Sequence, residues 1–115
     1  MKLIIAIIPP TKLQAVKDAL SKIEVNRMTV SDAQGYGRQR GHTMTYRGHE
    51  YRAELVSKVG LQSSVNDDFL DRTVDTLIRV SRTGAEGNIG DGKIFIMPAV
   101  EAIRISDTVR GKEAV

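Results

Sequence analysis

The chain twice repeats one pattern: an apolar run, a residue that favours the start of a helix, and an amphipathic helix. In the first copy a β-branched run over residues 2–8 precedes Pro10, and large aliphatic residues then recur every three or four positions from 13 to 23. In the second copy residues 55–65 alternate between apolar and polar, Asn66 can cap a helix, and an apolar stripe runs over 70–78. These spacings predict two strand–helix units.

Two further strands complete the units. Residues 28–30 follow the first helix and residues 94–97 follow the second, which gives the order β-α-β-β-α-β. This order is typical of the ferredoxin-like α+β sandwich, in which both helices cover one face of a four-stranded sheet. A short fifth strand is expected over 100–105. Because the other sheet face would leave aliphatic side chains bare, we expect a closed homo-oligomer.

Composition narrows the class of protein. A chain of 115 residues is expected to form one domain, here residues 1–106, followed by a polar tail over 107–115 that should fray. The absence of cysteine excludes a disulfide scaffold, thiol catalysis and cysteine-based metal centres. The apolar run over residues 3–8 is too short for a membrane span or a secretory signal, so a cytoplasmic protein is expected. A net charge of +3 favours anionic partners without indicating nucleic acid.

Two glycine-rich loops offer sites for an anion. The first spans residues 34–54 and contains four glycines and four arginines, and the second spans residues 83–92 and is followed by Lys93. Successive backbone amides in such turns bind anions, and the cations add charge. The second loop has P-loop spacing, but Ile94 replaces the required hydroxyl and a strand follows where a P-loop has a helix. Each loop alone is compatible with an ordinary solvated turn. The presence of both loops in one short chain favours a single polyanionic ligand that both of them bind.

Three stretches resemble the PII family of nitrogen-signalling proteins, and the resemblance covers residues 1–106: Gly35-Tyr36-Gly37-Arg38-Gln39, Tyr46-Arg47-Gly48-His49-Glu50-Tyr51, and Ile89-Gly90-Asp91-Gly92-Lys93-Ile94-Phe95. It identifies the first loop, about 37–54, with the family's T-loop and the second, about 83–92, with its B-loop. The resemblance implies a homotrimer with nucleotide sites between subunits. ATP and ADP would compete there, and Mg²⁺ with ATP would build a site for 2-oxoglutarate.

The resemblance also implies roles for single residues. Phosphates would be held by the Arg38, Lys93 and Arg104 side chains and by the backbone of Gly35, Gly37, Gly90, Asp91 and Gly92. The adenosine pocket would be lined by Ile7, Thr29 and Ser64. Gln39 would coordinate Mg²⁺ at the 2-oxoglutarate site, and Lys58 would pair with a carboxylate of that ligand. Tyr51 matches a tyrosine that some members have uridylylated. The implied partners are an ammonium transporter, a nitrogen-metabolism enzyme or a uridylyltransferase, with no nucleic acid.

Three positions depart from the family pattern. Ser106 stands where a second arginine would fall, His49 excludes phosphorylation of a serine there, and Ala85-Glu86-Gly87 resembles an insertion in the B-loop. The first and third departures predict weaker discrimination of ATP from ADP, because both lower the positive potential near the phosphates.

Two alternative functions are a small nucleotide-using enzyme and an RNA-binding module. A small ATPase or phosphotransferase would need a carboxylate to position water, and Asp91 and Glu86 are the only local candidates. We expect no enzyme, because no general base or nucleophile can be assigned. An RNA-binding module would stack bases on strand aromatics, and residues 53–65 contain none.

Overall fold

The computed structural model describes residues 1–37, 44–46, 49–51 and 54–115. Its strands and helices are, in chain order, β1 (Lys2–Ile8), α1 (Leu13–Lys22), β2 (Thr29–Gly37), β3 (Met44–Tyr46), β4 (His49–Tyr51), β5 (Glu54–Val65), α2 (Asp67–Ser81) and β6 (Lys93–Pro98). The main sheet has the order β2-β5-β1-β6, and every neighbouring pair is antiparallel. β3 and β4 pair separately. The predicted ferredoxin-like fold is confirmed.

The core lies between this sheet and the two helices. Ile4, Ala6 and Ile8 alternate along β1 and are buried, and Leu61 pairs with Ala6 on the same face. From the helix side, Val16 is fully buried against them. Burying an aliphatic side chain of this size is worth about 1.5–3 kcal/mol, so this single face supplies most of the driving force for folding.

The opposite face of the sheet remains open within this chain. Side chains that alternate with the buried set form cross-strand pairs there, Leu3 with Met97 and Ile5 with Phe95. Phe95 is 51% exposed, which is unusual for a phenylalanine in the middle of a strand. The expected bare aliphatic face is therefore present.

The segment that connects the two halves contains more strand than the sequence predicts. β2 was expected over 28–30 but runs to Gly37, where it pairs with Glu54 at the start of β5. The β3–β4 hairpin also lies inside the stretch predicted as a loop. Glycines at 35 and 37 conceal the strand pattern, because glycine has low strand propensity and gives no apolar alternation.

The C-terminal segment also differs from expectation. The prediction of a fifth strand over 100–105 is wrong, because this stretch forms only one isolated β-bridge, between Ile103 and Arg110. The tail, expected to fray, turns back so that the Gly111 amide donates to the Ala102 carbonyl at 2.9 Å, and Gly111–Ala114 form a 3₁₀ turn. Local hydrogen bonds between polar side chains and backbone compete with strand formation here.

Candidate functional site

The end of the B-loop, around Gly92, packs directly on β1. Gly92 has φ +114°, and a Cβ atom there would overlap the Ile7 carbonyl oxygen. Only glycine permits this approach. The next residue, Lys93, pairs with Ile7 at the start of β6 and is exposed. The fold therefore joins three predicted site residues, Ile7, Gly92 and Lys93, at one end of the sheet.

Asp91 holds the B-loop closed. Its carboxylate accepts hydrogen bonds from the Thr83 hydroxyl at 2.7 Å, the Thr83 amide at 2.9 Å and the Asn88 amide at 2.8 Å. These hydrogen bonds, the Thr83 hydroxyl first, lower the pKa of Asp91 to about 2. The carboxylate is thus charged at neutral pH and ties the start of the loop to its end. Its side chain serves the shape of the loop, while its backbone is the predicted phosphate contact.

Lys58 connects the sheet to the B-loop. Its ammonium donates to the Gly90 carbonyl oxygen at 2.8 Å. The stem of Lys58 passes over Gly35, where a Cβ atom would lie 3.3 Å from Lys58 Cγ. Lys58 is half-buried and lies opposite Ala33 of β2. Gly35, Lys58 and Gly90 therefore join the group at this end of the sheet, which we call the loop end.

Thr29 and Ser64 lie elsewhere. Ser64 pairs with Leu3, and Leu3 is four residues along β1 from Ile7, a separation of about 14 Å at ~3.4 Å per residue. Thr29 and Ser64 line one cavity of about 520 Å³ together with Ala114 and Val115 from the end of the chain. We call this region the tail end. The two groups predicted to form one nucleotide site are separate within the protomer.

Arg104 lies in the C-terminal segment that follows β6, and its partner belongs to the same segment. Its guanidinium donates from Nε to Asp107 Oδ1 at 3.0 Å and from Nη2 to Asp107 Oδ2 at 2.8 Å. The hydrogen bonds to Arg104 lower the pKa of Asp107, and the same hydrogen bonds raise the pKa of Arg104. Sequence reasoning missed Asp107. The available signal was its spacing, since a carboxylate three residues after an arginine in a polar, turn-forming run favours a local ion pair.

For three predicted site residues, Arg38, Gln39 and Tyr51, no side chain is described, and a fourth, Gly37, has only its backbone. Arg38 and Gln39, the predicted phosphate and Mg²⁺ contacts, lie outside the described residues. Gly37 ends β2, and Tyr51 pairs with Met44 in the β3–β4 hairpin. Within the described ranges, no group of three histidine or acidic side chains is placed to hold a metal ion. Over the same ranges, no helix has the length and apolar content needed to cross a bilayer.

The stretch Ala85-Glu86-Gly87 widens the B-loop on the helix side. Gly87 has φ +76°, and a Cβ atom there would lie 3.3 Å from Asp91 Oδ2. Glu86 is exposed and borders an open cavity of about 680 Å³ between the B-loop and the last turn of α2. Ile8, whose side chain is on the helix face of the sheet, lines this cavity, whereas Ile7 points to the other face. Gly92 and Lys93 line the same cavity, so Glu86 borders a space that two of the predicted phosphate contacts also border.

Comparison with known proteins gives one consistent match. A sequence profile described as nitrogen regulatory protein P-II matches residues 1–109. The nitrogen regulatory protein GlnK1 of Methanosarcina mazei is 45% identical over 115 residues, which cover all of this chain and 97% of that relative. The nitrogen regulatory proteins P-II of Klebsiella oxytoca and P-II 1 of Escherichia coli K12 are each 48% identical over 105 residues, 91% of both chains.

Proposed function

This chain belongs to the nitrogen regulatory protein P-II family, and from that premise we propose that it binds ATP or ADP and 2-oxoglutarate between subunits and regulates target proteins through its T-loop. Binding of these ligands would shift the loop between conformations only by as much as their affinity differs for each one. The relatives are named as regulatory proteins, which agrees with a signalling role rather than turnover.

The separation of the loop end from the tail end carries this proposal. The loop end offers the B-loop amides, Lys58 and Lys93, which suit phosphates, while the tail end offers Thr29 and Ser64, which suit a nucleoside. Along the strands Ser64 lies about 14 Å from the row of Ile7, and Thr29, which pairs with Gln62 opposite Ile5, about 7 Å, so one protomer would present two half-sites. A neighbouring copy that sets its tail end against this loop end would complete one site per interface.

The open sheet face supports the assembly that this requires. Its apolar pairs, Leu3 with Met97 and Ile5 with Phe95, need cover, and three copies can bury them in one closed interface. In a homotrimer, every loop end would lie beside the tail end of a neighbouring copy. No copy would be left with an incomplete interface.

The described residues fit a nucleoside polyphosphate. Gly90 and Gly92 have positive φ angles, 102° and 114°, and nearby backbone amides in such a turn can bind one anion. Lys93 is exposed beside them. Gln39 would hold Mg²⁺, which would supply positive charge for the phosphates. Lys58 would hold a carboxylate of 2-oxoglutarate with the N–H groups that its hydrogen bond to Gly90 does not use. The side chains of Arg38 and Arg104 and the backbone of Gly35 and Gly37 would complete the phosphate contacts.

The enzyme alternative finds less support. Asp91 would be the nearest carboxylate to the phosphates, but its oxygens already accept three hydrogen bonds within the loop. Glu86 borders the helix-side cavity, which Gly92 and Lys93 also line, so it is the carboxylate that remains for such a role. The proposed outputs are contacts with a transporter, a metabolic enzyme or a modifying enzyme, and Tyr51 in β4 is the proposed uridylylation site. The protein would act in the cytoplasm and reach a membrane only through a transporter partner.

Titration calorimetry on the purified protein tests the proposal. We expect ATP and ADP to bind competitively with one site per chain, AMP to bind more weakly, and 2-oxoglutarate to bind only with Mg²⁺ and ATP present. An absence of heat with both ATP and ADP would overturn the proposal. Sustained ATP hydrolysis in the same samples, abolished by Asp91→Asn, would favour the enzyme instead.

A further inference from the structure

We propose that Asp107 regulates the nucleotide site by competing with phosphate for the guanidinium of Arg104. This inference rests on the proposed function, because Arg104 is one of its phosphate ligands. It gives a role to an acidic residue beside Arg104, and neither the family resemblance nor the similar proteins assign a role to that residue. Asp107 would act through Arg104 and would itself touch no nucleotide.

The geometry of the pair is that of an arginine bound to an oxyanion. One edge of the guanidinium is used: Nε donates to both carboxylate oxygens, at 3.0 and 3.1 Å, and Nη2 donates to Oδ2 at 2.8 Å. This forked arrangement is the one by which arginine also holds phosphate. A phosphate that approaches the same edge must therefore displace the Asp107 carboxylate.

The backbone holds Asp107 in place for this competition. The Val109 amide donates to Asp107 Oδ1 at 3.1 Å, the Thr108 amide donates to the Arg104 carbonyl at 2.8 Å, and the Arg104 amide donates to the Val109 carbonyl at 2.9 Å. Because the tight turn fixes the backbone of both residues, the pair forms without closing a long loop of chain. The Asp107 carboxylate therefore competes with phosphate for the Arg104 guanidinium at a constant, high effective concentration.

The composition of the segment strengthens the effect. Ser106 stands where the resemblance places a second arginine, so the guanidinium expected two residues after Arg104 is missing when Arg104 is engaged. The pair is also accessible, with side chains 36% and 46% exposed, so a ligand can reach it. A nearby ion pair between Glu101 and Arg110, 3.2 Å apart, has the same charges but no contact with Arg104. That pair supplies a matched control.

The test compares ATP, ADP and AMP affinities of the full-length parent, Asp107→Asn, Asp107→Ser and Glu101→Gln by titration calorimetry. Both Asp107 variants should bind ATP about two- to fivefold more tightly, the factor that an exposed ion pair is worth. The gain should be smaller for AMP, which has fewer phosphates. Glu101→Gln removes the same charge from the same segment and should bind like the parent. Asp107→Glu, which keeps the carboxylate, should also stay close to the parent.

A second comparison isolates Arg104. In an Arg104→Gln background the added Asp107→Asn change should leave ATP affinity unaltered, because no guanidinium remains to be released. Three results would overturn the inference while leaving the proposed function intact: parent-like affinity in both Asp107 variants, an equal gain in Glu101→Gln, or an undiminished gain in the Arg104→Gln background. If no protein in the series binds ATP or ADP, both the inference and the proposed function are overturned.

Discussion

The carbonyl oxygen of Ile7 occupies the space that a side chain at position 92 would need. Gly92 meets this requirement and also has φ +114°, a conformation that L side chains rarely adopt. The contact fixes the end of the B-loop against β1, directly before Lys93. The position of the proposed phosphate amides therefore depends on one glycine.

Gly92→Ala should destabilise the protein by about 3 kcal/mol or more, because the loop backbone must move away from β1. Urea unfolding followed by circular dichroism measures the loss. Gly84→Ala is the matched control: Gly84 also has positive φ, 67°, but nothing lies within 4 Å of a Cβ atom there. This control should cost about 1–2 kcal/mol from the left-handed backbone alone. Equal losses in the two variants would show that the contact with Ile7 is unimportant.

Asp91 should make the free energy of unfolding depend on pH in the acidic range. Its folded pKa of about 2 lies below the ordinary 3.8, so the charged carboxylate stabilises the folded protein above pH 3.8, and this contribution is lost as pH falls toward 2. Asp91→Asn should lower the unfolding free energy by about 1–3 kcal/mol at neutral pH, because hydrogen bonds to a charged group are lost.

Unfolding curves at several pH values check the Asp91 prediction. The stability difference between the parent and Asp91→Asn should shrink between pH 3.8 and about 2. Glu86→Gln, which removes a carboxylate from the same loop, is the control and should change stability little. A difference that stays constant down to pH 2 would mean that the charge of Asp91 does not hold the loop.

The sequence was sufficient to predict the sheet, the helices and the composition of the loop end. Strand alternation placed Val59 and Leu61 on the buried face and Lys58 on the other, and the register confirms this. The C-terminal segment was not predictable in the same way. Its shape depends on hydrogen bonds between Arg104, Asp107 and the local backbone, and such bonds leave no hydrophobic period.

The distances between the predicted site residues were also beyond the sequence. Motifs list residues that would touch one ligand, but they carry no information on which copy of the chain supplies each residue. Only the pairing of Ile7 with Lys93 and of Leu3 with Ser64 separates the two groups along β1. The prediction that Ala85-Glu86-Gly87 weakens discrimination of ATP from ADP stays a prediction. Deleting 85–87 and introducing Ser106→Arg should raise the ratio of ATP to ADP affinity if it is correct.

Phe95→Lys should dissociate the proposed trimer. Phe95 lies on the open sheet face, and a lysine there would place a charge in the interface that covers this face. Light scattering should give a mass near three times 12.7 kDa for the parent and near 12.7 kDa for the variant. Ile78→Lys is the control, because Ile78 is similarly exposed but lies on α2, on the other side of the sheet. A parent of monomeric mass, or a trimeric Phe95→Lys variant, would contradict the assembly.

Lys58→Met should separate 2-oxoglutarate binding from ATP binding. The ammonium of Lys58 donates one hydrogen bond to the Gly90 carbonyl, which leaves two N–H groups that can hold a carboxylate of 2-oxoglutarate. Losing a hydrogen bond to a charged group should weaken 2-oxoglutarate by about 1.5–3 kcal/mol, tenfold or more, in saturating Mg²⁺ and ATP. ATP alone should bind with a smaller change, because its other phosphate contacts remain.

Lys17→Met provides the control for the Lys58 experiment, since Lys17 is an exposed lysine on α1, and it should bind both ligands like the parent. Calorimetry in both orders of addition adds a check, because binding linkage is reciprocal. If Lys58 couples the two ligands, 2-oxoglutarate should strengthen ATP binding in the parent and Lys17→Met, and by a smaller factor in Lys58→Met. Parent-like 2-oxoglutarate affinity in Lys58→Met would remove Lys58 from that site and leave it a structural tie between β5 and the B-loop.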